Sequence, residues 1–396
     1  MRKVKDEVYW VGATDWKVRH FHGNELSTHH GSTYNSYLIK DKKTVLIDTV
    51  WEPLTDRFLE NLTEVIDPSK IDYVVVNHAE PDHSGALPVI MEYAPNATVI
   101  VSKRGLDSVK RHYYKDWNFK VVSTGDKINI GKNDLVFIEA PMLHWPDSMF
   151  TYLTGENILF SNDAFGQHYA SSSIFNDEVD EVEVYQEAIK YYANILTPFS
   201  KFVTKKIDEL KGFGLPVDMI APSHGVIWRK DPMKIVDKYY EWAQGKSNKS
   251  AVVIYNSMWG ATHKMAEFIG KGLGEGGIEY KIFNTSTSDK NDILTEVFKS
   301  KGVILGSSTV NNGLLTSLMP VIEDLIGLKF MDKIGAAFGS YGWSGESPKL
   351  LKEYLEKAKI KVVQEELKVK YMPDDNELEQ CLEYGKKFAE KILAEF

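Results

Sequence analysis

The chain has 396 residues, 43% of them hydrophobic, and a formal net charge of −9. That is room for two cores of about 100–200 residues each, and an acidic chain with no Lys/Arg block excludes nucleic acid or an anionic membrane as its main partner. The charged opening Met1-Arg2-Lys3-Val4-Lys5-Asp6-Glu7 lacks the apolar centre of a signal peptide, and no run of about 18 apolar residues occurs, so a soluble, cytoplasmic protein is expected. Cys381 is the only cysteine, which leaves no disulfide framework, no Cys-x-x-Cys pair and no four-cysteine iron site. Electrons, if the chemistry needs them, must come from another protein or a soluble carrier.

The first half reads as alternating strands and helices. Residues 33–39 and 44–50 form an expected hairpin around Asp41-Lys42-Lys43. The apolar run Tyr73-Val74-Val75-Val76 is an expected strand that opens into Asn77-His78-Ala79-Glu80-Pro81-Asp82-His83-Ser84-Gly85. Another strand spans 97–102 and is followed by a helix over 106–114, while 180–210 reads as helix with a break at Pro198. Each of three further residues follows an apolar segment: His144 after Leu135-Val136-Phe137-Ile138, Asp163 after Ile158-Leu159-Phe160, and His224 after Val217-Asp218-Met219-Ile220 and Pro222.

The loop after the 73–76 run places four potential metal ligands, His78, Glu80, Asp82 and His83, within six positions. A strand that ends in a polar loop projects side chains from a sheet edge, where imidazoles and carboxylates can be held for a first-row metal. One loop rarely completes two coordination spheres, so His144, Asp163 and His224 are the candidates for the rest. Taken singly, a histidine after a strand is more often a hydrogen-bonded loop residue and an aspartate before Ala-Phe-Gly a turn former. Seven such residues, all after strands, point instead to metal. The remaining histidines, His20, His29, His30, His112, His168 and His263 among them, are expected on the surface or in structural roles.

Residues 245–250, Gly-Lys-Ser-Asn-Lys-Ser, are small, polar and suited to a linker. The expected domains are therefore 1–246 and 251–396. The second repeats strand, loop and helix: expected strands at 252–255, 280–283, 303–305, 334–338 and 360–372 indicate an open parallel sheet. Three loops leave the carboxyl ends of its strands. The first, with Ser257, Met258, Trp259, Gly260, Ala261 and Thr262, offers hydroxyls and a glycine at a helix N-terminus, where backbone N–H groups can wrap a phosphate. The second holds Ser307, Ser308, Thr309, Val310, Asn311, Asn312 and Gly313; the third holds Ser340, Tyr341, Gly342, Trp343, Ser344 and Gly345, whose aromatic rings can cover a flat ring by stacking. None is a Walker loop or a Gly-x-Gly-x-x-Gly fingerprint.

The pattern H-x-[HE]-x-D-H followed by a distant His, Asp and His resembles the metallo-β-lactamase superfamily. Glu80 replaces the histidine usual in its hydrolases, and the exchange of nitrogen for a hard oxygen moves the site from zinc toward iron or manganese. The three later loops resemble flavodoxin, with Trp259 standing where a threonine is typical. Over essentially its whole length the chain resembles the flavodiiron proteins, reductases of oxygen or nitric oxide. That resemblance implies an N-terminal αββα sandwich followed by a flavodoxin-like, doubly wound parallel sheet, with FMN and two irons as cofactors. It implies His78, Glu80 and His144 on the iron nearer the flavin, Asp82, His83 and His224 on the other, and Asp163 bridging them. In some relatives the imidazole matching His83 turns away and water takes its place. It further implies roles beside the ligands for His22 and for Tyr191 or Tyr192, of which Tyr192 is the one taken here as the catalytic candidate.

The implied activity is reduction of O2 to water or of NO to N2O, fed by rubredoxin, another flavoprotein or a reduced deazaflavin. A head-to-tail homodimer, alone or paired with another dimer, is the implied assembly. The rival enzyme reading is a two-zinc hydrolase carrying an attached flavodoxin-like domain, and a non-enzymatic rival is an electron carrier or gas-sensing module.

Overall fold

Alternation of side chains across pleated strands organises the N-terminal half. In the computed structural model all 396 residues are described, and they divide into two compact units: Met1–Tyr191 with Phe199–Tyr240, and Tyr192–Pro198 with Glu241–Phe396.

The first unit holds two sheets. One has seven strands, β1 (Arg2–Lys5), β2 (Val8–Trp10), β3 (Tyr37–Lys40), β4 (Thr44–Ile47), β5 (Tyr73–Val76), β6 (Thr98–Ser102) and β7 (Phe119–Val122), side by side in chain order. Pairing is antiparallel up to β4 and parallel from β4 onward. The other sheet has β8 (Lys127–Asn129), β9 (Asp134–Glu139), β10 (Met149–Leu153), β11 (Ile158–Asn162) and β12 (Met219–Pro222), with only β11 and β12 parallel. Every second residue of these strands enters one shared core: Tyr37 and Ile39, Val45 and Ile47, Val75 and Ile100 meet Leu135, Phe137, Met149, Leu153, Ile158 and Phe160. The opposite faces, Leu38, Leu46, Val74, Val99 and Val101, are buried as well, and helices such as Thr55–Thr63, Leu87–Tyr93 and Lys103–Tyr113 supply the cover. This is the expected four-layer αββα sandwich.

The hairpin expected over 33–50 is shorter than its apolar pattern. Only Tyr37–Lys40 and Thr44–Ile47 pair, because Ser32–Tyr34 pairs instead with Ala13–Asp15. The break at Pro198 is real, but it begins earlier: a π turn at Tyr192–Leu196 and a 3-10 turn at Thr197–Phe199 separate helices Glu181–Tyr191 and Ser200–Gly212.

In the second unit β13 (Asn248–Asn256), β14 (Glu279–Asn284), β15 (Ser300–Ser308), β16 (Ile334–Tyr341) and β17 (Lys361–Val362) form a sheet in the order β14-β13-β15-β16-β17, and β18 (Leu367–Lys370) also pairs with β16. All pairs are parallel. The order reverses direction between β13 and β15, which opens a crevice at their carboxyl ends. β13 already begins at Asn248, so half of the expected linker is strand. The single strand expected over 360–372 is split. The Tyr384 hydroxyl donates to the carbonyls of Ala337 and Glu365, each at 3.0 Å, and fills the gap between β17 and β18 where ladder bonds are missing. No helix is long and apolar enough to cross a membrane.

Candidate metal centre and flavin site

The sandwich brings all seven expected ligands to one edge. His78, Glu80, Asp82 and His83 follow β5, His144 follows β9, Asp163 follows β11 and His224 follows β12. The turn out of β5 is fixed from below. Asp48, in the left-handed region at φ 54°, accepts the Asn77 N–H at 2.7 Å, and the Thr151 hydroxyl donates to Asn77 Oδ1 at 2.7 Å. Burial pushes the Asp48 carboxyl up to about 6, with His83 pulling the other way. The loop then enters a short helix, Pro81–Ser84, with Glu80 at its N-cap.

The ligand atoms fall into two groups around Asp163. Nε2 of His78 and Nε2 of His144 lie 3.2 and 3.4 Å from Glu80 Oε2, and each lies 3.8 Å from Asp163 Oδ2. On the other side, Nε2 of His224 is 3.1 Å from Asp82 Oδ2, and Nε2 of His83 is 3.3 Å from Asp82 Oδ1. Asp163 Oδ1 stands 3.0 Å from His83 Nε2 and 3.7 Å from His224 Nε2. One carboxylate thus turns one oxygen to each group.

Two of these contacts, His78 to Glu80 at 3.2 Å and His224 to Asp82 at 3.1 Å, are within hydrogen-bond reach, but other atoms of the cluster find no such partner. Asp82 Oδ1, His83 Nε2 and Asp163 Oδ2 are buried without any hydrogen-bond partner, although buried polar atoms nearly always find one. Lone pairs converging without donors between them are what a cation satisfies, and four imidazoles with three carboxylates suit iron or manganese. The residues therefore fit a pair of first-row metal ions.

The charges agree. Burial works against the carboxylate of Glu80, yet its contacts with His144, His22 and His78 hold it far below the usual range. Asp163 is likewise held down, against its burial, chiefly by His83. Burial lowers His83, but Asp163 and Asp82 outweigh it and lift the imidazole to about 9.

Outer contacts fix the ligands. His78 Nδ1 donates to Asp147 Oδ2 at 3.1 Å, and the same oxygen accepts the Ala79 N–H at 2.9 Å. His224 Nδ1 donates to the Thr33 carbonyl at 2.6 Å. Both bonds leave Nε2 free to ligate. Asn35 holds the His224 turn, its amide donating to the carbonyls of Pro222 and Gly225. His22, itself left-handed at φ 49°, places Nε2 2.9 Å from Glu80 Oε1. The Tyr191 hydroxyl donates to Asp163 Oδ1 at 3.1 Å. Tyr192 is a correction: its ring packs on Trp242 and Phe298 in the second unit, because consecutive residues leave a helix on different faces. A cavity of about 370 Å³, walled by Phe21, Tyr34 and Trp51, reaches Glu80 and Asp82 from outside.

In the second unit a cavity of about 290 Å³ lies at the carboxyl ends of the strands. All three expected loops contribute: Met258, Trp259 and Ala261; Ser308 and Thr309; and Ser340, Tyr341, Gly342 and Trp343. The Ser257 hydroxyl accepts the Gly260 N–H at 3.1 Å, and Gly260, at φ 88°, caps the helix Ala261–Glu275 with open space where a Cβ would stand. Thr262 reaches the cavity through hydroxyl bonds of 2.9 and 2.8 Å to Ser308 and Ser340. Ser307 is turned inward, its hydroxyl accepting the Leu315 N–H at 3.1 Å. Val310, Asn311, Asn312 and Gly313 close a turn on themselves rather than line the cavity, and Ser344 bonds Glu346 beside Gly345. An aromatic slot beside a hydroxyl-rich helix N-terminus fits a flat ring carrying a phosphate.

Fold and sites define a β-lactamase-like metal domain joined to a flavodoxin-like domain. The family described as "ODP family beta lactamase" matches residues 33–225, and the family described as "Flavodoxin" matches 253–385. The chain is 49% identical over 391 residues to a nitric oxide reductase of Moorella thermoacetica, with 98% of each chain covered. Among solved structures, rubredoxin oxygen:oxidoreductase from Desulfovibrio gigas superposes with a TM-score of 0.96 at 38% identity, covering 99% of this chain and 98% of that one. The flavodiiron protein of Giardia intestinalis gives 0.95 at 34%, covering 99% and 97%. The chain belongs to the flavodiiron protein family.

Asp147, Thr33, Asn35, Tyr34 and Trp51 carry no ligand motif, and sequence reasoning missed them. Tyr371 and Met372, which also line the second cavity, were hidden in the expected last strand.

Proposed function

We propose that the protein is an oxidoreductase that reduces O2 to water, NO to N2O, or both, at a non-haem diiron centre fed by FMN. His78, Glu80 and His144 would hold one iron, Asp82, His83 and His224 would hold the other, and Asp163, which faces both groups, would serve both. The observation that carries this reading is Asp163, whose two oxygens face the two ligand groups separately. When bound, two irons would supply one electron each and the position for the gas, and a reduced flavin two more, which would make the four needed for O2, whereas two suffice for a pair of NO.

The chain's own residues position and protect. Asp147 and the Thr33 carbonyl set the tautomers of His78 and His224. His22 Nε2 orients Glu80, and the Tyr191 hydroxyl keeps a proton at Asp163 Oδ1. Phe21 and Tyr34 line the approach and limit water. In the second unit, the Ser257 turn and the N-terminus of helix Ala261–Glu275 would take the phosphate, while Tyr341 and Trp343 would cover the ring.

The reading adds a cytoplasmic setting, an external donor such as rubredoxin, another flavoprotein or reduced deazaflavin, and a head-to-tail homodimer that sets the FMN of one copy against the irons of the other. Relatives at this similarity are named for redox activity, which speaks against the two-zinc hydrolase. Anaerobic stopped-flow mixing of fully reduced protein with O2 or NO tests the proposal. Flavin and iron should reoxidise within the turnover time, and cofactors that stay reduced in both gases would refute it.

A further inference from the structure

The flavin cavity has a fourth wall that none of the phosphate or ring loops provides. β18 ends at Lys370, and the next two residues, Tyr371 and Met372, line the cavity. Tyr371 adopts φ 63°, in the left-handed region. A bulky aromatic residue rarely does so, and the strain of about 1–3 kcal/mol persists only where neighbours enforce it.

Those neighbours are identifiable. The Tyr371 N–H donates to the Tyr341 carbonyl at 2.7 Å, which ties it to the third loop. Its ring lies against the backbone of Gly342, where a Cβ would come within 2.8 Å of Cε1. Three residues on, Asp374 and Glu377 form a reciprocal capping box that fixes the start of the helix Asp375–Leu393. The segment between strand and helix is pinned at both ends, and it holds up a ring that is 65% exposed at the cavity mouth. A largely apolar ring held in a strained, solvent-facing pose at a cavity mouth gains stabilisation when a ligand in that cavity covers it.

We infer that Tyr371, supported by Gly342 behind it and Met372 beside it, is a flavin-binding residue that contacts the isoalloxazine ring rather than the phosphate. The inference rests on the FMN reading above. It also gives Gly342 a reason: any side chain there would displace the Tyr371 ring.

The test is titration of flavin-depleted full-length protein with FMN and, separately, with riboflavin, which has the ring system without the phosphate. Tyr371→Asn keeps a residue that tolerates the left-handed backbone and removes the ring. It should weaken both flavins by a similar factor of roughly 3–10. Tyr371→Phe should bind both within about twofold of wild type. Ser257→Ala should weaken FMN but not riboflavin. Y371N binding both flavins like wild type, or losing only FMN, overturns the assignment. Wild-type protein that binds neither flavin removes the FMN reading itself, and the assignment with it.

Discussion

Replacing Asp147 by Ala tests whether the outer contacts hold the metal centre as described. Asp147 is buried, and its Oδ2 accepts from the fully buried His78 Nδ1 at 3.1 Å and from the Ala79 N–H at 2.9 Å. Burial opposes its charge, but the bond to His78 prevails and keeps it below the ordinary carboxylate value. Removal strands two buried donors, each costing about 1–3 kcal/mol. Part of that loss falls on stability whether or not metal is present. The part specific to metal comes from His78, which loses both its preferred tautomer and its orientation, for about 10–100-fold in affinity. Iron retained after timed exposure to a chelator, measured by elemental analysis, reads the effect. Asp147→Asn keeps one acceptor oxygen and should fall between, which also covers the case in which the alanine variant folds poorly. D147A and wild type losing iron at the same rate would refute the role.

Tyr191→Phe removes the hydroxyl from Asp163 and should lower kcat severalfold while elemental analysis still finds two irons per chain; Tyr192→Phe should change neither quantity. Lys333 is buried, with Nζ donating to Ser247 Oγ and the Phe298 carbonyl, each at 2.7 Å. Its burial lowers the ammonium pKa to about 7, against a pull from Asp332. Between pH 7 and its unfolded value near 10.5 the unfolded chain binds more protons, so this group makes stability rise with pH in that window. Urea unfolding of the second unit should therefore gain about 2 kcal/mol from pH 7 to pH 9 in wild type, and Lys333→Met should remove that gain.

Much of the metal centre was legible because its ligands obey a local rule: each follows an apolar strand, so its neighbours in sequence announce it. The contacts that orient them obey no such rule. Asp147 meets His78 across 69 residues and Asn35 meets Pro222 across 187, and nothing in the local pattern of either marks the meeting. Tyr191 and Tyr192 could not be told apart because the choice depends on helix phase where a π turn begins. The three flavin loops were readable from glycines, hydroxyls and their place after strands. The Tyr371 wall was not, since one strand was expected over 360–372, and nothing near it announces that the distant Tyr384 hydroxyl would sit where it divides. The parallel sheet of the second unit followed from the alternation of strand and helix, its strand order only from the likeness to flavodoxin, and the partner of Ser32–Tyr34 depended on a distant strand at Ala13–Asp15.

Because a single carboxylate, Asp163, serves both ligand groups, occupancy of one position and occupancy of the other are thermodynamically linked. An ion at one position would take one Asp163 oxygen and leave the other facing the second group, so the affinity of either position would depend on whether its neighbour is filled.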